Sequence, residues 1–111
     1  MGKLSYSVAA ITRPLSGVVE AHRFVGTDNA VAGAGANTLG VNQHYASDED
    51  SAVDTLGAVP VECGAAVAEG ALIESDAQGR AITRSAGAIV ARALESSTAA
   101  GEFVLCQLIP N

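Results

Sequence analysis

The side chains capable of chemistry are few, and their spacing assembles none of the familiar reactive sets. His22 sits in an apolar run and His44 beside an acidic stretch. Neither is paired with a Ser, Cys or Asp in the order a nucleophile and its base require, and there is no G-x-S-x-G or H-E-x-x-H. Asp48, Glu49, Asp50 and Asp54 are the densest acidic group. Carboxylates of this kind bind Ca²⁺, but the D-x-D-x-D-G order and the bidentate Glu of a calcium loop are missing, so the segment reads as a solvated loop. Cys63 and Cys106 stand singly among small or apolar neighbours, which predicts buried free thiols; a disulfide between them is the lesser alternative. Gly33-Ala34-Gly35 lacks the third glycine of a dinucleotide loop, and no G-x-x-x-x-G-K cradles a phosphate. No catalytic residue, metal ligand or cofactor-binding residue is expected, and no cofactor.

The elements that would position any site are short strands. Asp76-Ala77-Gln78-Gly79 separates two apolar segments: Asp can bond its own backbone at the start of a turn and Gly accepts positive φ at its end, so Asp76 and Gly79 define a structural turn and a β-hairpin. The tip has no lysine to carry biotin or lipoate, and Lys3 is the only lysine in the chain. Leu4, Tyr6 and Val8 alternate with Ser5 and Ser7 in the period of a half-buried strand or an extended arm ended by Pro14. Val18 to Val25 predicts a second strand, and Leu39-Gly40-Val41 a short one. Ala58 to Cys63 predicts another, with Pro60 favouring an edge or a bulge. Ser85 to Ala100 is divided between helix and strand, and strand is preferred for Ala88 to Leu94. Glu102 to Ile109 is nearly continuous in apolar residues, the pattern of a strand covered on both faces, either in the core or under a neighbouring subunit.

Composition bounds the classes. With 111 residues, the chain is read as one domain, 1–111, that folds around one core. That core is thin, because the apolar residues are mainly Ala and Val, with two Phe, two Tyr and no Trp. Six basic against twelve acidic residues give a net charge of −6, which argues against nucleic acid as a partner. No apolar run approaches the ~18 residues of a membrane span, and Met1 to Tyr6 holds no uninterrupted apolar leader, so the expectation is a soluble, unexported chain with no membrane partner. The fold class is all-β: a small single-domain β-sandwich, β-barrel or tulip-like fold with short hairpins and at most one short helix.

In order and spacing, Leu39-Gly40-Val41, Val61-Glu62-Cys63-Gly64-Ala65-Ala66-Val67, Gly70-Ala71-Leu72-Ile73, Asp76-x-x-Gly79-Arg80-Ala81, Gly87 to Leu94 and Ala100 to Leu105 resemble the capsid cement (head decoration) proteins of tailed phages. The acidic segment Asp48 to Asp54 has no counterpart in the resemblance, and Ile89-Val90 loosens the match before Ala93-Leu94. The resemblance implies a structural, non-enzymatic virion protein that binds the outer surface of the head and reinforces the shell. Its implied partner is the major capsid protein, and it implies self-association as a homo-oligomer, a trimer before a dimer. Its implied location is the capsid exterior, after assembly in the host cytoplasm. In that setting residues 1–14 are a candidate capsid-contact arm, with Leu4, Tyr6 and Val8 as contacts, and Phe103 and Leu105 are candidate subunit-interface residues. The alternative is a small carbohydrate-type ligand-binding β-domain with its pocket around His22, Arg23 and His44.

Overall fold

A single long strand organises the molecule, and it begins in the acidic segment. The computed structural model describes residues 5–111; its regular elements are β1 (Tyr6–Pro14), β2 (Val18–Val19), β3 (Phe24–Gly26), β4 (Thr38–Asn42), β5 (Ala46–Ser47), β6 (Asp50–Glu62), β7 (Leu72–Ser75), β8 (Ala81–Thr83), β9 (Ala91–Ala93) and β10 (Phe103–Leu108). No helix occurs among the described residues. The sheet runs β3-β4-β6-β10-β9-β7-β8, every strand pair among the described residues being antiparallel, with β1 added alongside β6; β2 and β5 form a separate ribbon. The two ends of that order meet again: the Phe24 N–H donates to Gly79 O over 2.7 Å, and Cys63 bridges Ala81 in parallel. The result is a nearly closed, barrel-like sheet, one of the architectures the strand pattern allows.

Closure creates an inside that small side chains can fill. Phe24 and Ile73 are the largest fully buried side chains, and most of the rest are Val, as the composition requires. One apolar cluster joins Phe24, Val59, Val61, Ile73, Val104 and Cys106; a second, formed by Leu15, Val19, Val25, Ala46 and Val53, lies beneath the β2–β5 ribbon residues. Cys63 and Cys106 are buried free thiols, as expected. Desolvation pushes the Cys63 thiol up and that of Cys106 up to about 12, so both behave as small apolar groups.

Four expectations change. Asp48 to Asp54 is not a solvated loop: Asp50 opens β6, and Asp54 is only 3% exposed. Its pairing with β1 and β4, distant in sequence, overrides the poor strand propensity of Asp. Val18 to Val25 is interrupted, because His22 has φ 63° and turns the chain between β2 and β3; its N–H donates to Asn42 O, and its carbonyl accepts from Glu62 N–H. The Ser85 to Ala100 segment holds no helix, and the strand in it is shorter than Ala88 to Leu94: Ala91–Ala93 pairs between β7 and β10, and Ser97 adds an isolated bridge to Val67. Finally, the core of this chain covers one face of β10 only, so the double cover is not met within the subunit: Val104, Cys106 and Leu108 are buried, while Phe103 and Gln107 are exposed and Leu105 is partly exposed. Pro60 stands opposite Leu105 and beyond the last described pair of β1, Tyr6 with Ala58, consistent with its missing donor.

The loop before β9 is held by a carboxylate. Glu74, 8% exposed on β7, accepts the N–H groups of Ser85 at 2.6 Å and Gly87 at 3.0 Å. These bonds, Ser85 first and Gly87 next, hold its pKa below the ordinary glutamate value, and Thr98 does the same for Glu102. A lowered folded-state pKa adds stability that is present above the unfolded value, about 4.3, and is lost as pH falls through the folded one. Glu74→Gln keeps the acceptor but removes the charge. Denaturant midpoints measured from pH 6 down to pH 2.5 are therefore expected to fall less steeply in the variant than in the wild type. Parallel acid limbs would show that the loop is not fastened by the ionised carboxylate.

Candidate interaction surface

β1 contributes almost nothing to the core. None of its nine residues is buried, and only Arg13 is even partly covered. It is held by backbone pairing to Asp50–Ala58, by Ser7 Oγ donating to Asp54 Oδ1 at 2.6 Å, and by Arg13 Nε donating to Asn29 Oδ1 at 3.1 Å. The register slips around Val8, where Gly57, at φ 112°, lets the two backbones approach so closely that a β-carbon there would overlap Tyr6 O. Among the described residues β1 pairs with β6 alone, so its outer edge keeps unused backbone donors and acceptors.

The exposed apolar side chains collect on and beside this strand. Tyr6 is 56% and Val8 73% exposed, and Ile11 is exposed as well. Val8, Leu56, Ala58, Leu94 and Leu108 border a shallow groove of about 430 Å³. Tyr6 and Val8 are thus exposed side chains of an edge strand. Leu4 lies outside the described residues. Phe103, 42% exposed, and Leu105 point to the outer side of β10, away from Val104 and Cys106. The Phe103 ring is braced edge-on by His22, with centroids 5.3 Å apart and planes at 78°.

The turn residues are where the sequence puts them. Asp76 Oδ1 accepts from the N–H groups of Gln78 at 2.9 Å and Arg80 at 2.8 Å, and its Oδ2 takes Arg80 Nε at 2.9 Å. Gly79 has φ 73°. The sequence did not reveal that this tip is also a seam: beyond the Phe24 bond, Arg23 Nη1 donates to Gln78 O at 3.0 Å while the same guanidinium pairs with Glu62 at 3.1 Å and Glu20 at 3.2 Å.

Other candidate groupings are not assembled. Arg23 is occupied by those ion pairs, and neither it nor His44 lines the cavity that His22 borders. In the acidic segment Asp48 Oδ1 accepts from Gly17 N–H and Glu49 Oε1 from Ser47 N–H, while Asp54 is turned toward Ser7 and Gln43. Among the described residues no three His, Cys, Asp or Glu side chains converge to hold a metal ion.

The family model for phage cement protein matches residues 6–108, from β1 to the end of β10. The chain belongs to that family. Membership gives this phage cement protein a structural role in the virion. The solved structures include a similar one, the crystal structure of the N base of the head fiber gp8.5 of bacteriophage phi29. It superimposes with a TM-score of 0.75 at 16% identity, over 91% of this chain and 93% of that one. At that identity the likeness establishes the barrel-like all-β fold alone. No curated protein matches the chain.

Proposed function

We propose that this phage cement protein binds the outer surface of the head through β1 and stabilises the shell. The observation that carries the reading is a nine-residue edge strand exposed on both faces. An extended segment of the capsid protein can pair with its free edge, where backbone hydrogen bonds supply affinity and Tyr6, Val8 and Ile11 supply register. A net charge of −6 keeps the free protein soluble and away from the packaged nucleic acid. Many copies, each making a modest contact, then reinforce the shell together. Phe103 and Leu105, on the outer face of β10, are the proposed contacts of a homo-oligomer, a trimer before a dimer.

The test is a variant lacking residues 1–10, measured on heads stripped of cement protein. Because β1 buries no side chain, the variant is expected to keep a wild-type circular dichroism spectrum and a cooperative melt. It is also expected to lose saturable head binding and the added heat resistance of the heads. Sedimentation of both proteins reads self-association; if it persists in the variant, subunit contacts lie away from β1, as at Phe103 and Leu105. Undiminished head binding by the truncated protein would overturn the assignment of β1, and unfolding would make β1 part of the core.

A further inference from the structure

A carboxylate that is 3% exposed normally faces a cation or has hydrogen bonds to both of its oxygens. Asp54 has neither. Ser7 Oγ and Gln43 Nε2 both donate to Oδ1, each at 2.6 Å, and no described residue forms an ion pair with Asp54 or donates to Oδ2. Asp54 lies in the wall of a pocket of about 250 Å³, with Ser5, His22 and Gln43 around it and Val59 and Pro60 as an apolar side. That volume is below the roughly 300–1,000 Å³ of ordinary small-molecule sites, and it suits a single side chain better than a whole ligand.

We infer that this pocket receives a basic side chain, an arginine or lysine presented by the protein that docks on β1. The three requirements of such a side chain are met together. Its charged head finds an anionic oxygen with unused acceptor capacity, and a charge-assisted bond at a half-enclosed site is stronger than one in open water. Its methylene stem finds Val59 and Pro60. Its backbone has a place beside the pocket, because Ser5, which borders the pocket, immediately precedes β1 and so sets the pocket at one end of the proposed docking strand. The protein's negative charge draws a basic segment toward this face before contact. The pocket itself follows from its own geometry; only the identity of the partner rests on the reading of β1 as the docking edge.

The experiment titrates the isolated protein with N-acetyl-arginine methylamide and N-acetyl-lysine methylamide, with the citrulline analogue as the neutral isostere of arginine, and follows amide NMR shifts. Saturable shifts at the Gln43 side-chain amide and at His22 are expected with the two cations, and about tenfold weaker binding with citrulline and in Asp54→Asn. Should Asp54→Asn fail to fold, Ser5→Arg serves instead: at an exposed rim position it offers the pocket a cation from within, and it should weaken binding by a similar factor. The titration is repeated in Lys3→Ala. Cation binding that appears only in that variant would mean the chain's own lysine is the occupant and would overturn the inference. So would non-saturating shifts, or shifts that citrulline reproduces. If the cations bind as expected but Asp54→Asn and Ser5→Arg coat heads as well as wild type, the docking role of the pocket is overturned. A wild type that binds no heads would sink the capsid reading instead and leave the titration to decide the pocket.

Discussion

Gly40→Ala is expected to abolish the folded state at 37 °C. Gly40 pairs with Val25 inside β4, where β4 also lies against β6. A β-carbon there would overlap the carbonyl oxygen of Asp54 outright, reach within 2.8 Å of its carbonyl carbon, and press on Val53 Cγ1 at 3.1 Å. The obstacle is backbone, not the movable end of a side chain. Relief requires β4 to leave β6, which breaks the Val41–Asp54 and Asn42–Val53 pairs and opens the cluster around Val53. Overpacking in a well-fitted core costs about 1–3 kcal/mol even when neighbours can shift; with none able to, about 4 kcal/mol or more is expected. That consumes most of the stability of a small domain whose core is mainly valine. The measurement is the far-ultraviolet spectrum and thermal melt of the purified variant. A cooperative melt within a few degrees of wild type would show that β4 and β6 are not so closely apposed.

The same two strands show what the sequence could and could not reveal. Leu39-Gly40-Val41 is legible as a short strand from its local apolar residues, Leu39 and Val41, and the Asp76–Gly79 turn is legible because its chemistry is local too: Asp bonds N–H groups two and four residues ahead, and Gly accepts φ 73°. The start of β6 is not legible. Asp50-Ser51-Ala52-Val53-Asp54 has a loop's composition, and it is a strand because β1 and β4 supply partners some forty and twelve positions away. The interruption at His22 carries no Gly or Pro to announce it; backbone bonds to Asn42 and Glu62 hold that turn. In β10 the period of two is hidden because the outward residues Phe103 and Leu105 are as apolar as the inward Val104 and Cys106. Concealed alternation of this kind arises when a face is apolar for reasons other than the subunit's own core. The strand alternation at Tyr6 and Val8 was readable, whereas the pairing of β1 with β6 and its exposure on both faces were not, since neither depends on β1 alone. Asp54 is not legible as a pocket residue for the same reason: its burial depends on β1 and β4.

Gly79→Val is expected to destabilise the protein by more than the turn geometry alone requires. Positive φ in a β-branched residue costs on the order of 1–3 kcal/mol. At this position the new β-carbon would also stand 2.9 Å from Phe24 O and 2.8 Å from Val31 Cγ2. The turn cannot back away, because Gly79 O accepts the Phe24 N–H across the seam where the two ends of the sheet meet. Strain at the tip is therefore coupled to closure of the barrel and to the placement of Phe24, the one aromatic among the largest fully buried side chains. Gly70 provides the control: it too has positive φ, 85°, but a β-carbon there meets nothing within 4 Å. Gly70→Val thus reports the backbone cost alone, and Gly79→Val is expected to exceed it by about 1–3 kcal/mol of overpacking. Urea midpoints of the two variants and the wild type, taken with a common slope, measure the difference directly. Equal losses at the two positions would mean that the hairpin tip is free of β3 and that the sheet is held closed elsewhere.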